Sequence, residues 1–280
     1  MKRKKESTQK TNWVRRIILL LCLIVFCYSG YQVITILFEY RKGDQEYEKI
    51  NQMFEQADGE EKNIPDQKQT KKQNQNQDTS TENGKKWVWD FERLKSMNSD
   101  AKGFIRQKDT MISYPVLQGR DNEYYLHYTF QKTYNRNGSI FIDYRIEDGF
   151  DAKNCIIYGH NMWTNTMFGT LVKYNQESYY KQHPDFDIYA GKKHYIYDVF
   201  ASFEAESRGD DVYQYSFTDD ATFLEWAQKQ RSRSVVDTRS FVRDITSTDH
   251  IITLSTCTTR DDESKRVVVL LVRREDSSEK

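Results

Sequence analysis

Residues 17–38, IILLLCLIVFCYSGYQVITILF, hold 22 positions without a formal charge. As a helix rising 1.5 Å per residue, the run spans about 33 Å, enough to cross a hydrocarbon core of about 30 Å. A secretory leader is the competing reading, but its apolar stretch runs about 7–15 residues and ends at a small-x-small site. This run is longer and exits into EYRKGDQEYEK, which offers no such site. The sequence therefore predicts a single uncleaved membrane-spanning helix at 17–38. Residues 1–16 carry seven basic side chains against Glu6, a local charge of +6 in a chain of zero net charge. By the positive-inside rule this places the basic segment 1–16 in the cytoplasm and everything after Phe38 outside, with Arg41 and Lys42 as a minor counterweight. The remaining chain sums to −6, which gives no case for nucleic-acid binding.

Beyond the apolar run, Tyr40, Tyr47, Ile50, Met53 and Phe54 recur at threes and fours, the period of a short amphipathic helix, read as a stalk. Residues 58–86 hold one Ile and no aromatic, too little apolar surface to offset ordering, so 39–86 reads as a stalk followed by a flexible polar tether. Composition changes at Trp87, where a folded domain over 87–275 begins; 276–280 is a short tail. WVWDFERLKSMNSDAKGFIRQ predicts two helical pieces, the second capped by Asn98, Ser99 or Asp100. MISYPVLQ, GSIFIDY, CIIYGH, HYIYDVFASFEA, HIITLSTC and RVVVLLV are short β-type runs divided by turn signals. The fold class is mainly β, a closed or nearly closed barrel or sandwich. Helical insertions are expected at 167–174 and at 219–233, the latter just before the last two strands.

Two cysteines fall in the apolar run, leaving Cys155 and Cys257 outside it; they can form one disulfide or remain thiols. IITLST reads as a buried strand with Cys257 at its carboxyl end, and VVVLLV as the returning strand with Arg266 as its first residue. In an antiparallel pair the two face each other across the mouth of the polar loop TTRDDESK. A guanidinium there favours a thiolate and can hold a developing oxyanion. A small buried thiol and a strand-end cation are the plainer readings of the same residues.

A reactive thiol also needs an imidazole to move a proton. His250 lies seven residues before Cys257, an odd spacing that turns it to the other face of a regular strand. His183 and His194 flank polar segments and read as solvated; His127 reads as helix packing. His160 follows CIIYG, where a Gly-His-Asn turn can present a ring at a strand terminus. Cys155 lies five residues before His160, again odd, so it should face away from that ring; if His160 neighbours Cys257, a Cys155–Cys257 bridge is disfavoured and Cys155 reads as a core residue. The Cys/His spacings hold no zinc-ligand pattern, no glycine-rich phosphate loop is present, and the acidic hairpin loop reads as solvated, so no cofactor or metal is expected.

TLSTC followed nine positions later by Arg266, with YGHNM upstream, resembles the sortases, membrane-anchored cysteine transpeptidases of Gram-positive bacteria. MNSDAKGFI, ISYPVLQGRDNEYYLHY, NGSIFIDYR and NCIIYGHNM resemble class B in particular, over about residues 87–275. The resemblance implies a barrel of about eight strands with amino-terminal helices. It implies Cys257 as nucleophile, His160 as proton-handling partner and Arg266 as oxyanion or substrate stabiliser. It further implies attack on a sorting signal near the carboxyl end of secreted proteins, usually between Thr and Gly or Asn. The resulting thioester is then opened by an amine of a cell-wall precursor, joining protein to peptidoglycan. A cysteine hydrolase, a pilin-polymerising transpeptidase and a catalytically silent surface-binding module on the same scaffold are the alternatives.

Overall fold

Eight strands close into one barrel in the computed structural model, which describes residues 3–57, 81–82, 85–258 and 264–274. The expectations for most of the polar tether, the acidic hairpin loop and the carboxyl-terminal tail lie outside these residues. The strands are β1 (Ala101–Arg106), β2 (Ser113–Leu117), β3 (Ile140–Ile142), β4 (Asn154–Tyr158), β5 (Asp185–Ala190), β6 (Lys193–Glu206), β7 (Ile251–Cys257) and β8 (Lys265–Arg273). Around the barrel they follow the order β7-β8-β6-β5-β1-β2-β3-β4, and β4 closes back on β7. The β2–β3 and β4–β7 pairs are parallel, and the other neighbours are antiparallel. β7 and β8 are buried along nearly their whole length, which explains the unbroken apolar run VVVLLV of β8 where alternation would otherwise be expected.

Two strands depart from the sequence reading. The segment from Ala101 is strand β1, not a second helix. Asn98 caps a turn instead, its side chain accepting from the Asp100 amide at 2.9 Å. Gly103, a poor helix former, lies so close to Tyr189 that an added Cβ would stand 2.2 Å from its carbonyl oxygen. DFDIYA, unremarked in the sequence, is strand β5 with Phe186 and Ile188 buried between acidic neighbours. The expected helix at 167–174 is displaced: a 3₁₀ turn covers Leu171–Asn175 and α4 follows at Glu177–Gln182.

The longest helix, α1, spans Arg3–Phe54 and contains the one stretch among the described residues that is long and apolar enough to cross a membrane. The chain divides into two units, Met1–Gly43 and Asp44–Lys280. In the first, most of the apolar side chains from Ile17 to Phe38 are exposed. In the second, the end of α1 carries the predicted stripe, and Tyr47, Ile50 and Phe54 are buried there. The Tyr47 hydroxyl donates to the Gly138 carbonyl at 2.6 Å, and the Phe54 ring lies 5.6 Å from Trp87 and 5.9 Å from Phe104. Asn51 donates to the Ser113 carbonyl and Glu46 accepts from Thr129. Burial of such side chains stabilises by about 2 kcal/mol apiece, so this segment is part of the folded unit. Short strands Glu55–Ala57, Thr81–Glu82 and Lys85–Trp87 form a small separate sheet, followed by α2 (Phe91–Met97), capped by Asp90.

A short helix α3 (Tyr124–His127) precedes β3, and α5 (Asp220–Ser232) lies in the connection between β6 and β7. Asp219 and Thr222 form a capping box at the start of α5. Its buried face, Phe223, Trp226 and Ala227, joins Phe203, Val268 and Leu270 in a core outside the sheet.

Candidate active site

Parallel neighbours end at the same end of a sheet, so the β4–β7 ladder brings two carboxyl termini together. Cys257 is the last residue of β7, and His160 stands two residues beyond the end of β4. β8 then returns antiparallel, with Arg266 in register opposite Cys257. The three side chains line one cavity of about 770 Å³.

Local chemistry holds this corner. Gly159 is closely packed: an added Cβ would stand 2.4 Å from the Ile140 side chain and 2.7 Å from the Phe168 ring, so any other residue would force both to shift. Its amide donates to the Ser255 carbonyl at 3.2 Å, carrying the ladder one step past β4. The Asn161 carboxamide then donates to the carbonyls of Cys257 at 2.9 Å and Thr258 at 3.3 Å, tying the turn that carries His160 to the strand end that carries the thiol.

Nε2 of His160 lies 2.8 Å from the Leu126 carbonyl, which can only accept, so Nε2 carries a hydrogen and Nδ1 is the nitrogen left to take a proton. Burial pulls this imidazole below its ordinary range; the Leu126 carbonyl opposes the pull, while His127 and Arg266 add to it. Cys257 is a half-buried free thiol. Cys155 is also free and pairs with Ile252, five positions along β7 from Cys257, so the disulfide alternative fails.

Tyr213 and the loop 207–210 line the same cavity. The Tyr213 hydroxyl meets Ser255 Oγ at 3.0 Å, and burial pushes its phenol up to about 12 against that hydrogen bond. α5 positions the wall from behind, with Trp226 Nε1 donating to the Asp211 carbonyl at 2.8 Å. Arg233 forks onto both oxygens of Asp210 at 2.7 Å. Burial alone would raise the Asp210 carboxyl; Arg233 and two backbone amides override it and hold it at about 2.

The third wall carries Asn122, Arg145 and Tyr158, gathered on the buried carboxylate of Asp143. Burial pushes that carboxyl up, and the donors from Arg145, Asn122 and Tyr158 more than reverse it. NGSIFIDYR and YGHNM contain several of these residues, but nothing in their spacing shows that Asp143 collects them.

The other histidines are elsewhere or differently engaged. His250 lies at the opposite end of the barrel, with Nδ1 3.3 Å from the Ala152 carbonyl. His194 is not solvated as expected: it stacks on Tyr189 at 4.3 Å and meets Asp187 at 2.7 Å. His183 is likewise partly buried, 4.4 Å from the Tyr179 ring. His127 ends α3 but is exposed there instead of packed as expected, and it also lines the cavity. A thiol, an imidazole and a guanidinium on one cavity suit acyl transfer through sulfur.

Known proteins bear on this arrangement. The family described as "Sortase domain" matches residues 105–273. Sortase B of Listeria monocytogenes is 38% identical over 179 residues, covering 63% of this chain and 70% of that protein. Sortase B of Staphylococcus aureus is 31% identical over 258 residues, covering 91% of this chain and 93% of that protein. The solved Staphylococcus aureus sortase B–substrate complex matches with a TM-score of 0.61 at 34% identity, over 67% of this chain and 85% of that one.

Proposed function

This chain belongs to the sortase family and is a cysteine transpeptidase of class B, and we propose that Cys257 is its nucleophile, His160 its proton carrier and Arg266 its oxyanion donor. The observation that supports the assignment is the shared cavity: parallel β4 and β7 bring His160 and Cys257 to one end, and Arg266, paired with Cys257 in the β7–β8 register, lines the same cavity.

In this reading the substrate is a sorting signal near the carboxyl end of a secreted protein. The Cys257 thiol gives its proton to Nδ1 of His160 as sulfur bonds to the scissile carbonyl carbon. The carbonyl oxygen becomes an oxyanion and Arg266 donates to it. As the carbon–nitrogen bond breaks, His160 returns the proton to the departing amine and a thioester remains. A cell-wall amine then attacks the same carbon and loses its proton to His160. The carbon–sulfur bond breaks, the sulfur recovers a proton and the new amide leaves. A ring held neutral by burial is suited to accept the first proton.

The helix over 17–38 anchors the chain, with the basic segment 1–16 in the cytoplasm and the barrel on the outer face, where both substrates are found. The decisive assay incubates the full chain in detergent micelles with a sorting-signal peptide, with and without an added oligoglycine amine. A ligated product that requires the amine is expected. Cleavage that yields only the free acid in both cases makes the protein a hydrolase and ends the transfer reading.

A further inference from the structure

The connection from α3 to β3 carries a cluster of exposed rings that the chemistry of the cavity does not use. Tyr134 is 59% exposed and Tyr124 is 36% exposed. Tyr128 stacks on Tyr124 at 4.3 Å and meets Tyr134 edge-on at 5.9 Å, while His127 lies 6.4 Å from Tyr134. Single exposed aromatics are ordinary, but rings in contact with one another at a surface mark a place where something is met. The backbone beneath them is a tight hairpin. Tyr128 bridges Tyr134, the Thr129 amide donates to the Thr133 carbonyl at 2.9 Å, and the Asn135 amide donates to the His127 carbonyl at 2.8 Å.

This hairpin is also what holds the segment that leaves the membrane-spanning run. Asp44 accepts from Asn137 Nδ2 at 3.0 Å, and Glu46 accepts from the Thr129 hydroxyl and the Gln131 amide, each at 2.8 Å. The Tyr47 hydroxyl donates to Gly138. Asp44 stands six positions beyond Phe38, the last residue of the apolar run. Six residues rise about 9 Å as helix and reach only about 20 Å fully extended, while a headgroup layer is about 5–8 Å deep. The polar segment 58–86 follows the seated side chains of Tyr47, Ile50 and Phe54, so it adds no reach between the bilayer and the barrel. Chain length alone therefore keeps the hairpin beside the membrane surface.

We propose that the α3–β3 connection is a second membrane contact, with Tyr124, Tyr128 and Tyr134 lying among the lipid headgroups of the outer leaflet. This rests on the anchored reading above. A tyrosine suits that layer because its ring is apolar and its hydroxyl is wet. The contact is aromatic in character, not electrostatic: the hairpin's cations, Lys132 and Arg136, are offset by Asp44, Glu46 and Asp100, the last of which holds Lys132 at 2.8 Å. Leu126 and His127 of the same connection line the cavity that holds Cys257. Lipid contact there turns that wall of the cavity toward the bilayer.

The test uses the full chain in phosphatidylcholine liposomes with the photo-crosslinker benzoylphenylalanine in place of Tyr134 or, in a second chain, of Phe241. Phe241 is 61% exposed, a like degree, but packs against Tyr180 instead. After illumination, mass spectrometry is expected to find lipid adducts at position 134 about fivefold or more above those at 241. Adding phosphatidylglycerol should change the yield at 134 by less than about twofold, because the patch carries no strong field. Equal yields at the two positions overturn the inference, and so does an adduct at 134 that forms only with the anionic lipid. A chain that does not float with the liposomes overturns the anchored reading and the second contact with it.

Discussion

The strands β4, β7 and β8 carry or adjoin a cysteine, a histidine and an arginine at each of their two ends. At one end stand Cys257, His160 and Arg266; at the other, Cys155, His250 and Arg273. The first set lines a cavity, and the second is consumed by structure. Cys155 is 0% exposed, and burial drives its thiol well above the ordinary range despite the nearby Arg273. Arg273 donates to the Tyr197 hydroxyl at 2.9 Å, the Phe150 carbonyl at 2.6 Å and Asp151 at 3.0 Å, and lies 4.1 Å above the Tyr195 ring. Residue types alone therefore do not make a site. What separates the ends is the loop architecture: Gly159 and the wall backed by α5 keep one end open, while Phe150 and its neighbours seal the other.

The sharpest way to break this contrast is to exchange the roles of the two thiols. Cys257→Ala should lower cleavage of a sorting peptide by at least about a thousandfold with the melting curve preserved. Cys155→Ala should leave turnover within about twofold while costing about 1 kcal/mol of stability, read from chemical denaturation. A Cys257→Ala chain that still turns over, or a Cys155→Ala chain that does not, would erase the distinction. Labelling probes the same pair without mutation. A methanethiosulfonate reagent should modify Cys257 in the folded chain and reach Cys155 only after denaturant is added, with mass spectrometry locating each adduct. Equal labelling of the two in native buffer would contradict the burial argument.

Much of the open end was legible in the residues because its logic is local. TLSTC and KRVVV lie close enough in sequence for a hairpin to set Cys257 against Arg266, and the register confirms that pairing. His160 was harder, because nothing in CIIYG says which distant strand it will lie beside. The β4–β7 ladder joins segments separated by about a hundred residues, and only the closed barrel requires that neighbour. Asp143 was invisible for the same reason: its partners Asn122 and Tyr158 arrive from different elements. The misread strand β1 shows the opposite limit. There, local helical signals yielded to pairing with β2 and β5, which places Gly103 against Tyr189. The stripe of Tyr47, Ile50 and Phe54 did predict a helix, but a periodic stripe does not say what covers it.

The two arginines offer the next largest effect. Arg266→Ala should lower kcat by about a hundredfold to a thousandfold, the range for removal of one oxyanion donor, with little change in melting temperature. Arg273→Ala should do the reverse. It leaves the Phe150 carbonyl and the Tyr197 hydroxyl with only the long 3.5 Å bond between them, costs roughly 1–3 kcal/mol, and lowers the melting temperature while kcat/KM stays within about twofold. If both variants lose activity equally, the two ends are coupled and the contrast needs revision.

The smallest expected effect compares the histidines, and here the two ends should agree in stability while differing in activity. Burial pulls both imidazoles below their ordinary range, aided at His160 by His127 and Arg266 and at His250 chiefly by Arg273. A ring depressed in the native state binds protons more readily in the unfolded chain. Each ring's penalty is therefore absent above the unfolded value of about 6.5 and grows as pH falls from there toward the native value. One such group changes stability by at most about 1.4 kcal/mol per pH unit. His160→Gln and His250→Gln should each flatten the loss of stability between pH 7.5 and 5, measured by urea denaturation at fixed salt. Of the two, only His160→Gln should also abolish peptide cleavage, because His160 lines the cavity that holds the thiol and His250 does not. A His160→Gln chain with the wild-type stability slope would mean that the ring is not desolvated as its burial implies. A His250→Gln chain without activity would mean that the sealed end takes part in the chemistry after all.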